Sequence, residues 1–94
     1  MRVSIGTTDI PTAGTRVQIS NTVDKVKKIS VTARPANTGN IFFGTVTVSS
    51  TVGVVLRPGD AVSLDFEEGS VLFSTFYLDA ATSGDDGDYM AILE

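Results

Sequence analysis

Thirty of the 94 residues are β-branched: 12 Val, 12 Thr and 6 Ile. Two heavy atoms on Cβ stiffen χ1 and suit a pleated surface better than a helix. No window places apolar residues at i, i+3, i+4 and i+7 over three turns, so the expectation is an all-β chain with at most one helical turn. Alternating runs recur instead, separated by Gly, Pro, Asn and Asp. Residues 16–20 place Val17 and Ile19 on one face, and residues 28–33 do the same with Ile29, Val31 and Ala33. Further runs are read at residues 41–44, 45–49, 54–56, 61–66, 73–79 and 89–93. Arg57, Pro58, Gly59 and Asp60 have the order of a type II turn, with Pro second and Gly third. Residues 1–14, polar and broken at Pro11, are read as an N-terminal arm containing at most one short strand. Residues 15–94 then form one antiparallel β-sandwich of seven or eight strands, jelly-roll-like. Its expected core is Val17, Ile19, Ile29, Val31, Val46, Val48, Val62, Leu64, Phe66, Phe76 and Leu78.

A chain of 9.9 kDa buries roughly 64% of its unfolded surface, enough for one core and not for two. It holds no Cys, no His and no Trp. That removes disulfides, thiolate nucleophiles, imidazole metal ligands and Ser-His catalysis. No stretch reaches the 18 or so apolar residues of a membrane span, and residues 1–9 lack the apolar run of a signal peptide. The expectation is a protein used without secretion and without a membrane.

Net charge is −4, but unevenly placed. All seven basic residues lie within residues 1–57, which carry +5; residues 58–94 hold nine acids and no base. Such a split either interleaves in the fold or gives an asymmetric surface that orients the protein on a partner. The acidic total argues against nucleic-acid binding, which needs a basic footprint.

Several constellations bear on chemistry. Asp85, Asp86 and Asp88 in a Gly-flanked segment could offer oxygens to Ca²⁺, but the spacing is not that of an EF-hand and suits a plain turn. Asp65, Glu67, Glu68 and Asp79 supply carboxylates for glycosidase-type catalysis, yet no Trp is present to hold a sugar. The expectation is no enzyme, no metal and no cofactor. Lys25, Lys27 and Lys28 are read as charges protecting an edge strand. Phe42 and Phe43 are adjacent, so strand geometry sends them to opposite faces, one inward and one outward. Tyr77 is out of phase with Phe76 and Leu78. Phe42, Phe43, Tyr77 and Arg34 are therefore the candidate interface residues.

Three segments carry a family likeness: Asn37-Thr38-Gly39 with Ile41 and Gly44; Gly53 with Leu56-Arg57-Pro58-Gly59-Asp60; and Phe76-Tyr77-Leu78-Asp79-Ala80. Across residues 15–93 this pattern resembles small virion proteins of tailed bacteriophages: head decoration (cement) proteins, head-fibre proteins and tail-associated β-sandwich modules. The resemblance implies a non-enzymatic structural protein that coats and stabilises the outside of a phage head. It further implies the major capsid protein and neighbouring copies of the chain as partners, and the virion, assembled in the host cytoplasm, as location. The alternatives are a tail, neck or fibre-base component, and a carbohydrate-binding adhesion module using Phe42 and Tyr77.

Overall fold

The computed structural model describes residues 2–66 and 71–94. Among them are eight strands: β1 (Arg2–Asp9), β2 (Val17–Gln18), β3 (Val26–Ala33), β4 (Ile41–Gly44), β5 (Val54–Leu56), β6 (Ala61–Asp65), β7 (Tyr77–Ala80) and β8 (Asp86–Leu93). A 3-10 turn spans Phe73–Thr75. The strands form two four-stranded antiparallel sheets. Sheet 1 runs β1-β8-β3-β6 and sheet 2 runs β2-β7-β4-β5. The pairing is nested: first with last (β1 with β8), β2 with β7, β3 with β6 and β4 with β5. Two further pairings, β3 with β8 and β4 with β7, complete the sheets.

One core joins the two sheets. Ile29, Val31, Ala33, Ala91 and Leu93 come from sheet 1, and Ile41, Phe43, Leu56, Leu78 and Ala80 from sheet 2. Phe43 stacks on Phe76, and Phe73 meets Tyr89 edge-on. Of the expected core, Ile19, Ile29, Val31, Val48, Phe76 and Leu78 are buried. Val17, Val62, Leu64 and Phe66 are half-buried against the core's margin. Val46 is a correction: it is 52% exposed, because residues 45–48 turn back, with Val48 N–H donating to the Thr45 carbonyl, and do not continue as a strand.

Residues 2–9, expected within an arm, pair with β8 along their whole length and without a register shift. The backbone hydrogen bonds of an eight-residue ladder hold what its polar side chains alone do not explain. Ile10 follows into the core, fully buried, with its N–H donated to the Asp85 carbonyl. The lysines are also corrected: β3 lies inside sheet 1 between β8 and β6, so Lys27 and Lys28 do not guard an edge. The expected type II turn has its i to i+3 bond from Asp60 N–H to the Arg57 carbonyl. Its third residue, Gly59, has φ +90°, a left-handed value that glycine adopts without strain.

Candidate functional site

The outward faces of the two sheets differ. In sheet 2, Phe42, Gly44, Tyr77, Asp79 and Val55 point away from the core by strand alternation. Phe42 nevertheless is only 6% exposed. Val48 is buried on this side: a Cβ on Gly44 would stand 3.2 Å from its Cγ2, and one on Gly53 only 2.8 Å. The segment carrying Val48 thus closes over the glycine backbone. From the other side, Gly14 N–H donates to Asp79 Oδ1 at 3.0 Å, and Ala80 N–H donates to the same oxygen at 2.7 Å. Asp79 is thereby buried with its carboxylate hydrogen-bonded, and it anchors the segment around Gly14. Beside it lies a depression of about 440 Å³ lined by Gly14, Thr15, Arg16, Val46 and Tyr77.

Among the described residues, the outward face of sheet 1 is the more open. Strand register lays out its side chains in rows: Val3, Ile92, Lys28, Asp65; then Ile5, Met90, Ser30, Ser63; then Thr7, Asp88, Thr32, Ala61; and last Asp9 beside Asp86. Val3, Ile5 and Met90 are 59%, 73% and 43% exposed. They form an apolar band along β1 and β8, flanked by the bonded hydroxyls of Ser30 and Ser63 at 2.7 Å.

Charges frame this band. Arg34 Nε donates to Asp88 Oδ1 at 2.9 Å, Arg34 Nη2 to Thr7 Oγ1 at 3.1 Å, and Thr7 Oγ1 to Asp88 Oδ1 at 2.7 Å. The Thr7 hydroxyl, with Arg34, holds the Asp88 carboxyl below the usual range. Asp86 is pushed up, by its hydrogen bond with the Asp9 carboxyl, then by burial and by the Asp9 charge. Arg2 bonds Asp24 and lowers its pKa. Lys28 and Asp65 stand 4.0 Å apart. Because β3 lies between β6 and β8, bases of the first half meet acids of the second at Lys28–Asp65 and Arg34–Asp88. The charge split therefore interleaves here.

The geometry places the sequence-derived candidates on different parts of the molecule. Phe42 and Phe43 are both buried, so neither is an exposed anchor; alternation is obeyed, but the outward ring is covered. Tyr77 is half-buried and lines the depression on sheet 2. Arg34 alone lies by the sheet 1 band. Asp85 stands apart from Asp86 and Asp88: its two oxygens accept the Thr38 and Gly39 N–H groups at 3.1 and 2.8 Å, so it holds a turn. Among the described residues, no three acidic side chains are grouped for a metal. Glu67 and Glu68 lie outside the described residues. Sequence reasoning missed Val3, Ile5, Met90, Thr7 and Asp9. Their signal was present as a period-two stripe, apolar at one end and acidic at the other, repeated in residues 86–92.

No protein-family model matches the chain, and neither a curated protein nor a solved structure matches it.

Proposed function

We propose that this chain is a jelly-roll sandwich and a non-enzymatic structural protein of a tailed-phage virion, a decoration protein that binds the outside of the head and stabilises it. The observation that carries this reading is the nested strand order, 1-8-3-6 against 2-7-4-5. A long hairpin rolled into two Greek keys gives that order, and viral capsid and lectin domains use it. Fold is one support and surface the other. The residues of the phage-like pattern are occupied with turn geometry: Asp85 clamps Thr38 and Gly39, and Asp60 Oδ2 accepts the Arg57 N–H at 3.1 Å. The bare Val3, Ile5 and Met90 band supplies apolar contact, while the charges around it set orientation and on-rate. Exposed ion pairs contribute about 0–1 kcal/mol each, so raising salt slows attachment without stripping the bound protein. A standard interface takes ~800 Å² from each partner, and on a shell neighbouring copies add to the hold.

The test is add-back. Heads of the phage that carries the chain are prepared without it, and the purified chain is returned. Saturable cosedimentation with a raised melting temperature of the heads is the expected result. A chain that stays in the supernatant, or that fractionates with tails, overturns the head assignment.

A further inference from the structure

We infer that β1 pairs edge to edge with β1 of a second copy of this chain, antiparallel about a two-fold axis, so that sheet 1 continues across a dimer. The four sheet edges are unequal. β2 has two residues, β5 three and β6 five, whereas β1 has eight. Short edge strands, lysines, prolines and bulges are the usual guards against strand pairing. β1 carries charge only at its two ends, Arg2 and Asp9; between them Val3–Thr8 holds no charge and no Pro, and its register with β8 runs unbroken. One side of β1 is satisfied by β8, and no described strand pairs with the other. Its alternate N–H and C=O groups therefore face outward as a template, and its most exposed large apolar side chain is an isoleucine.

The occupant follows from the strand itself. β1 begins with a base, Arg2, and ends with an acid, Asp9. Antiparallel self-pairing brings the Arg2 end of each strand beside the Asp9 end of the other, with the two side chains on opposite faces of the sheet and Arg2 also bonded to Asp24 of its own chain; parallel pairing would set like ends side by side. A two-fold axis perpendicular to the sheet opposes residues of the same face, so the centre falls on a residue of β1. Centring on Gly6 would put the Asp9 carboxylate opposite Val3, and centring on Ser4 shortens the ladder. Centring on Ile5 keeps residues 2–8 paired and sets Ile5 opposite Ile5 of the partner subunit. The Ile5 and Met90 row of each copy then joins into one apolar stripe. Gly6 leaves the core side of this centre undisturbed: a Cβ there would stand 2.6 Å from the Tyr89 hydroxyl.

Pairing through β1 is independent of the virion reading. A chain that dimerises in this way and never binds a head would sink that reading and leave the dimer standing.

Two measurements on the whole chain test it. The sequence has no cysteine, so a single introduced one reports cleanly. Opposed residues in an antiparallel pair have Cβ atoms about 4.5–5.5 Å apart, close to disulfide reach. Ile5→Cys is expected to cross-link several-fold faster under mild oxidation than Met90→Cys, whose two copies lie about 14 Å apart across three strand spacings. In sedimentation, the wild-type chain is expected to shift from monomer to dimer with concentration, and Ile5→Lys to remain monomeric with an unchanged circular-dichroism spectrum. A wild-type chain that stays monomeric at millimolar concentration overturns the inference. So do a dimer undiminished by Ile5→Lys and an Ile5→Cys variant that cross-links no faster than the Met90→Cys control.

Discussion

Sheets 1 and 2 share one core, yet their outer faces differ: the centre of sheet 2 is covered and, among the described residues, only its edge residue Val55 stands open, while the band of sheet 1 is exposed. On sheet 2, the outward Phe42 and Asp79 are buried, with the segments around Gly14 and Val48 closing on that side. On sheet 1, the outward Val3, Ile5 and Met90 stand open. Strand alternation assigns a side chain to a face; the connections decide whether that face is wet. A strand residue pointing away from a core can be as dry as one inside it.

Truncation gives the largest expected contrast. Phe43→Ala and Phe42→Ala should each cost about 3–5 kcal/mol in urea unfolding, since both rings are buried. Ile5→Ala, an outward residue of the other sheet, should stay within about 0.5 kcal/mol. Equal small losses at Phe42 and Ile5 would erase the distinction between the two faces.

Next in size are the carboxylates that close loops. Asp79→Ala removes the acceptor of Gly14 N–H, and Asp85→Ala removes that of Thr38 and Gly39. A hydrogen bond to a charged group contributes about 1.5–3 kcal/mol, and these bonds are part-buried, so each variant should be destabilised by about 1–2 kcal/mol. The Asp79 variant should also speed amide exchange at Gly14, and the Asp85 variant at Thr38. Unchanged exchange would mean these carboxylates do not hold the segments.

How much of this was legible depends on where the partners lie. Residues 28–33 alternate cleanly, and the core side of β3 follows from that pattern; the bulge between Val26 and Lys28, which lets the strand start earlier, does not. Residues 45–49 alternate as well, yet Gly44 and Gly53 let the chain fold tightly over Val48, and a turn results. β1 was hidden because its apolar residues face out, the reverse of the pattern that marks a buried strand. Chain order groups Asp85 with Asp86 and Asp88, while its actual partners are Thr38 and Gly39, 46 or more residues away. Local chemistry is written in the chain; what crosses over a face is decided by tertiary pairing.

The smallest effect separates the charged end of sheet 1 by pH. Asp86 takes up its proton more readily in the fold than in the unfolded chain, so stability should rise slightly as pH falls from neutral through its raised pKa toward 3.8. Asp24 and Asp88 are shifted down, so their contributions are complete above 3.8 and are lost as pH falls below it. Melting temperature against pH should therefore show a shallow acid-side rise before it drops. Asp86→Asn should remove the rise and keep the drop; a profile unchanged by that substitution would contradict the Asp9–Asp86 contact.

Amide hydrogen exchange followed at increasing protein concentration tests the contrast between the bare and the covered sheet most directly. Every second amide of β1 should become more protected as concentration rises, while β4, already enclosed in sheet 2, should not change. Protection in β1 that is independent of concentration, or that rises equally in β4, would contradict the claim that sheet 1 carries the open, adhesive edge.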